Sequence, residues 1–273
     1  MLEANLVFVL LIMALVLLLV IISFSMTKKR KRKDRQDIGF QWLATLRLLL
    51  AYIQKHRGMS IGFINGGTDL AIQINELHSK VESVTQHIIA INPSINDNQR
   101  WVSLIDHWQR IKANYPTFES ENNLVQHNQL IKNVLYLIDD IAQDCELLLL
   151  KDQQQKPLYI YWRELLTAAE HIGQARAIGI GVSTVASCSS VSRIRLKHSC
   201  QKIEDNTKAL WKEIESNPQQ EACVLKLIDC INNHLTGDKV TIGPKEYFAI
   251  ATDAIESLFR QFDYMIKEEV SKR

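Results

Sequence analysis

Apolar and polar positions along the chain alternate with helical periods almost throughout, and the exception is the beginning. From Leu6 to Ile22 every residue is apolar. With Ser23, Phe24, Ser25 and Met26 the stretch reaches about 20 residues, enough for a helix to cross a hydrocarbon core of about 30 Å. Beyond it, a three-four spacing of apolar residues predicts helices separated by breaks that carry turn chemistry. The breaks are Asn92-Pro93-Ser94, Asn114-Tyr115-Pro116, Asp152 to Pro157, Asn217-Pro218 and Thr236-Gly237-Asp238 with Gly243-Pro244. At several of them Asn or Gly precedes Pro, which sets Pro in the first turn of the next helix, where its missing N–H costs nothing. The long segments run 34–91, 119–151 and 158–216, and the shorter ones 97–113, 219–235 and 244–272. Gly66-Gly67 is expected to kink or split the first.

Only 10 Gly and 5 Pro are present, too few for the tight turns of an all-β fold of this size. The predicted fold is all-α: a single N-terminal transmembrane helix followed by an elongated antiparallel helical bundle. Three parts are expected, an anchor (1–26), a basic juxtamembrane segment (27–37) and a helical domain (38–270).

Charge refines this picture. The net charge is +2, but Lys28, Lys29, Arg30, Lys31, Arg32, Lys33 and Arg35 crowd one short stretch, and without them the chain is acidic. A nucleic-acid partner is therefore not expected. The cluster follows the apolar run at once, whereas Met1 to Asn5 hold one acid and no Lys or Arg, unlike a cleaved leader. Retention of cations on the cytoplasmic side places the N-terminus outside and the helical domain in the cytoplasm, at a cell inner membrane. The five Cys are odd in number and form no C-x-x-C pair, and the eight His show no H-x-x-x-H spacing, so neither a disulfide framework, a metal site nor a cofactor is expected. Asp139 and Asp140 are adjacent on a helix and point apart, and no nucleophile, Walker or kinase motif occurs. The chain does not read as an enzyme.

Two positions break the apolar pattern. Leu43, Leu46, Leu50, Ile53, Arg57, Ser60 and Ile64 form one buried stripe, so Arg57 stands where an apolar side chain belongs. The stripe Trp162, Leu165, Ala169, Ile172, Arg176 and Gly179 repeats the pattern with Arg176. Ile53 to Gly62 (IQKHRGMSIG) and Ile172 to Gly181 (IGQARAIGIG) align without gaps, Arg on Arg, with a shared Ile-Gly ending. A guanidinium keeps its charge in the interior and must find a carboxylate, carbonyls or an anion. Gly58, Ser60, Gly173 and Gly179 are small and admit close approach. Two such helices facing one another could enclose a compact planar anion by bidentate hydrogen bonds. Internal pairing with Glu170 is the structural alternative.

Three stretches carry a family resemblance. Arg47 to Gly67 (RLLLAYIQKHRGMSIGFINGG), Glu170-x-x-Gly173-x-x-Arg176, and Tyr247-Phe248-x-x-Ala251-Thr252-x-x-Ile255-x-x-Leu258 resemble, in this order, the opening, middle and closing elements of the nitrate- and nitrite-sensing (NIT) domain. The resemblance spans Gln41 to Phe262. It implies an all-helical sensor that binds nitrate or nitrite through Arg57 and Arg176, with His56, Gly58, Ser60, Glu170, Gly173, Gly179 and Thr252 in support. His56 stands where members can show a second basic residue. The expected output is repacking of helices read by a separate partner protein, with a homodimer through the first helix as one form. The alternative is a membrane-tethered scaffold with no small ligand.

Overall fold

The computed structural model describes the backbone of residues 2–272 and the side chains of residue 13 and residues 15–272. Its first helix, α1 (Leu2–Ile64), runs unbroken from the apolar run through the basic cluster into the domain. Gly66 ends it: at φ 108° it turns the chain so that the Gly67 amide reaches back to the Gly62 carbonyl at 3.0 Å, a left-handed C-cap. The expected 34–91 helix is thus split at the Gly pair, and α2 (Ala71–Ile91) returns along α1.

Side-chain caps set the starts of three of the following helices, the third being Ser189, which accepts from the Ser192 amide. Asn98 accepts from the amides of Arg100 and Trp101 to open α3 (Gln99–Asn114), and Asn217 accepts from Gln220 with Pro218 in the first turn of α7 (Pro218–Cys230). Between them lie α4 (Ser120–Asp144), α5 (Leu166–Thr184) and α6 (Ser190–Glu213), and α8 (Pro244–Ser271) closes the chain behind Gly243-Pro244.

Two expected boundaries are corrected. The 119–151 helix stops at Asp144, because the segment from Cys145 to Pro157 forms a loop held by a Lys151–Pro157 bridge, with Glu146 at φ 58° and Gln155 at φ 62°. The 158–216 segment is two helices: the chain turns at Val185–Ser189, where Ala186 takes φ 51° and Ser189 caps the Ser192 amide. Neither Pro nor Gly marks that turn, so propensity alone reads through it. Single π turns at Tyr161–Leu165 and Ile231–Leu235 join α5 and extend α7.

Helix α5 is the centre of the bundle. It packs on α1, α4, α6 and α8, and it is buried on all but the stripe of Thr167, His171, Gln174, Ile178 and Gly181, which is half-buried. Its small residues allow this. At Gly179 an added Cβ would lie 2.3 Å from the Tyr247 ring, and the Tyr247 hydroxyl donates to the Ala175 carbonyl at 2.8 Å, so α8 rests directly on the α5 backbone. One apolar core runs through α1 to α8, and a smaller cluster of Met59, Ile74, Leu77 and Tyr115 sits at the α1–α2 end.

Among the described residues no helix is long and apolar enough to cross a membrane. Much of the expected span, 6–12 and residue 14, lies outside the described side chains. Those described within it, Met13 and Leu15 to Ile22, are exposed and do not belong to the domain core.

Because the Tyr247 ring cannot retreat from a backbone it already touches, Gly179→Ala is expected to cost about 1–3 kcal/mol by overpacking. Gly237→Ala, whose Cβ would meet nothing closer than 3.8 Å, is the control. Urea melts compare the two, and equal midpoints would refute the account of α5–α8 contact.

Candidate functional site

Arg57 projects from α1 into the bundle and is fully buried. Its Nη1 donates to Glu170 Oε1 at 2.6 Å and to Asn128 Oδ1 at 2.6 Å, and its Nη2 donates to Glu170 Oε2 at 3.1 Å. The carboxylate is held from two more sides: Gln54 Nε2 donates to Oε2 at 2.8 Å and Gln174 Nε2 to Oε1 at 2.9 Å. Four hydrogen bonds use the lone-pair capacity of Glu170. Gly173 makes room for them, since a Cβ there would lie 2.7 Å from Arg57 Nη2. The pair thus fastens α1, α4 and α5 at one point.

Arg176 is different. It is 3% exposed, its Nη1 donates to Thr252 Oγ1 at 3.0 Å, and its guanidinium lies 5.0 Å from the centre of the Phe248 ring. Among the described residues it forms no ion pair with a carboxylate, and its buried Nε has no hydrogen-bond partner. The Arg57 Nε is likewise unpartnered, as is Gln54 Oε1. Burial pulls the Arg176 pKa down to about 10, the nearby Arg57 cation adds to this, and Glu170 opposes it. Arg176 therefore remains a cation at neutral pH. Gly58 brings the two arginines close: a Cβ there would be 3.9 Å from Arg176 Nε and 3.0 Å from Ile180 Cδ1. Lys55, half-buried, is pushed down first by burial and then by Arg176.

The interior therefore holds two guanidinium groups against one carboxylate. An unpaired buried cation is costly, and a small anion beside Arg176 would lower that cost through charge-assisted hydrogen bonds. Cation–π contact with Phe248 offsets part of it in the meantime.

His56 turns away from this pair. Its Nδ1 lies 2.8 Å from His127 Nε2 and its Nε2 lies 3.0 Å from His78 Nε2, while His127 Nδ1 lies 2.8 Å from the Asn123 carbonyl. The rings of Trp108 and Tyr115 meet His56 edge-on at 5.0 Å and 5.1 Å. Because a carbonyl only accepts, His127 Nδ1 must carry a proton, and each following bond then has one donor and one acceptor if all three imidazoles are neutral. One tautomer set satisfies the whole chain. Desolvation agrees: it lowers His127 to about 3 and His56 well below 6.5, and it lowers the half-buried His78, helped by Lys112.

The structure thus brings together Arg57, Glu170, Gly173, Arg176, Gly58 and Thr252, while Gly179 serves the α5–α8 contact. Ser60 donates to the Arg57 carbonyl at 3.1 Å and accepts from Asn123 Nδ2 at 2.9 Å, supporting the α1–α4 seam rather than facing Arg176. Sequence reading missed Gln54, Asn128, Gln174 and Phe248. Gln174 was open to discovery, being one turn from Glu170; Asn128 carries no local signal.

Fold and site together define an all-helical bundle with a cation-rich interior between α1, α5 and α8. No protein-family model matches the chain, and no curated relative does. Among solved structures it is similar to that of the NasR transcription antiterminator, with a TM-score of 0.69 and 14% identity over 93% of this chain and 74% of that one. That similarity is one of fold.

The neutral histidine chain makes stability depend on pH. With folded pKa values below the unfolded 6.5, the unfolded chain takes up protons that the fold refuses, so this contribution is complete above pH 6.5 and is lost as pH falls toward the folded values. Each histidine kept neutral should cost about 1.4 kcal/mol per pH unit below 6.5. Denaturant melts from pH 8 to 5 should show this slope, flattened in His127→Asn; an unchanged slope in that variant would show the chain to be protonated in the fold.

Proposed function

We propose that the chain is a membrane-anchored sensor of nitrate or nitrite, in which the anion lies against Arg176 and Arg57 and helix repacking passes the signal to a separate output partner. The observation that carries this reading is the buried Arg176, which forms no ion pair among the described residues and keeps an unpartnered Nε close to the Arg57 cation. Planar oxyanions suit it, because they accept from two coplanar N–H groups at once. The resemblance to NIT domains in Arg57, the Glu170–Arg176 element and the Thr252 segment points to the same ligand. The fold likeness to a transcription antiterminator agrees with a regulatory rather than a catalytic role.

Signalling follows from Glu170. Its carboxylate is the anion that Arg57 already holds, so a second anion arriving at Arg176 changes the balance of the α1–α5 contact. Binding shifts populations only through unequal affinity for the two packings. A pocket of about 290 Å³ lined by Ile61, Asn65, Ala177 and Gly181 lies one turn further along α1 and α5, and neither arginine lines it. The anchor rests on the apolar run, whose described side chains stand exposed on every face of α1. Inner-membrane placement with a cytoplasmic domain follows from the basic flank.

A second reading has its own observation. Glu170 neutralises Arg57 fully, as a tethered scaffold with no ligand would require.

Melts of the full chain in detergent with nitrate, nitrite, chloride or sulfate at equal ionic strength separate the two. A specific anion at a hundredfold over its Kd should add about 2.7 kcal/mol. Arg176→Ala should lose that gain. Glu170→Gln, which removes the competing carboxylate, should tighten binding by about tenfold, or 1.4 kcal/mol. A response equal for all four anions, or retained in Arg176→Ala, leaves the scaffold.

A further inference from the structure

Where α1 enters the domain, two features meet. Seven cations occupy positions 28–35, and successive helical residues are about 100° apart, so they ring the helix instead of forming one stripe. They span about 10 Å of its axis at 1.5 Å per residue, slightly more than a headgroup layer of about 5–8 Å. Just before them the side chains from Leu15 to Ile22 are all exposed, covering two turns of helix with nothing of the domain against them.

The second feature is the loop after α4. Glu146, at φ 58°, sets its carboxylate against Arg32 Nε at 3.0 Å and Arg35 Nη1 at 3.1 Å, and its carbonyl accepts from Gln36 Nε2 at 3.1 Å. These side chains are 40–53% exposed, so the pairs are open to exchange with other anions. Three residues on, Leu149 is 80% exposed although its neighbour Leu147 is fully buried, and Lys151 follows it to the surface. An exposed apolar side chain in a loop that holds the collar through Glu146 and carries an exposed Lys fits the boundary between acyl chains and headgroups.

We propose that the basic collar and the Glu146–Lys151 loop form one face that binds anionic lipid, with headgroup phosphates taking over Arg32 and Arg35 from Glu146 and Leu149 entering the acyl boundary. This rests on the anchoring reading of residues 1–26. A bilayer surrounds the helix and so satisfies a ring of charge, whereas a nucleic-acid strand would meet one side of it. Basic residues near an anionic surface each gain about 1 kcal/mol, which makes the collar sensitive to lipid charge.

The test uses the full chain with Leu149→Trp in nanodiscs of equal phosphatidylglycerol and phosphatidylcholine, with bromine on one lipid at a time. Quenching is read as the difference from the unsubstituted chain, whose five Trp give the background. Brominated phosphatidylglycerol should quench about twofold more than brominated phosphatidylcholine, given the gain per cation. The excess should vanish when all seven collar cations, Lys28 to Lys33 and Arg35, are changed to Gln, and should grow in Glu146→Gln. Equal quenching by both lipids, in a chain that resists carbonate extraction, overturns the lipid face and leaves the anchor standing. Loss of the excess on adding stoichiometric oligouridylate also overturns it and assigns the collar to nucleic acid. A chain stripped from neutral vesicles by carbonate that still floats with anionic ones supports the face while removing the anchor; flotation with neither removes both.

Discussion

The structure turns on one imbalance: two guanidinium groups are buried side by side and a single carboxylate answers them. Arg57 and Glu170 form a pair with two hydrogen bonds between them, Gln54 and Gln174 filling the rest of the carboxylate and Asn128 taking a second bond from Nη1. Removing one partner of such a pair costs about 3–5 kcal/mol, because the other charge is left desolvated. Arg176 sits beside this lock without one of its own. Its hydrogen bond to Thr252 and its stacking on Phe248 are neutral substitutes for a counter-ion. That deficit is the ground on which the anion reading is proposed.

The glycines are explained by the same imbalance. Gly173 lies where the Arg57 guanidinium passes, and Gly58 where α1 comes within reach of Arg176. Both stand in helix interiors, where Gly costs about 1 kcal/mol relative to Ala. Close helix approach repays that only if the backbones must be near enough for the two arginines to share one region. α5 accordingly has small residues on most of its buried faces and acts as the element against which α1 and α8 are both measured.

The parts of this arrangement that were legible in the sequence are those with a local period. Arg57 and Arg176 interrupt apolar stripes, and such an interruption shows in any helical register. Asn-Pro and Gly-Pro breaks placed the starts of α7 and α8, because capping and Pro sterics act within four residues. What could not be read comes from distance. His56, His78 and His127 meet from α1, α2 and α4 at separations that match no ligand spacing, and only tertiary packing sets His56 into the imidazole chain instead of beside Arg57. The Val185–Ser189 turn and the positive φ of Glu146 lack any Gly or Pro, so their cause is again the packing around them. Glu170 was visible as an internal partner for the arginines, but its pairing with Arg57 uses the space at Gly173 and is set by tertiary packing.

Continuity along α1 joins the two ends of the molecule. The helix passes from the apolar run, through the collar gripped by Glu146, to Arg57 without a break, and Gly39 sits against Cys145 where a Cβ would lie 2.6 Å from that side chain. The loop that grips the collar is the direct extension of α4, and α4 also supplies Asn128 to Arg57 and His127 to the histidine chain. α1 and α4 are therefore fastened to each other at both ends, by exposed ion pairs near the basic segment and by a buried polar network near the arginines. Helices so joined do not slide independently. Arg176 reaches this fastened pair from the other side, across Gly58, whose added Cβ would lie 3.7 Å from Phe248 and 3.9 Å from Arg176 Nε, so α5 and α8 meet α1 where it has the least side chain.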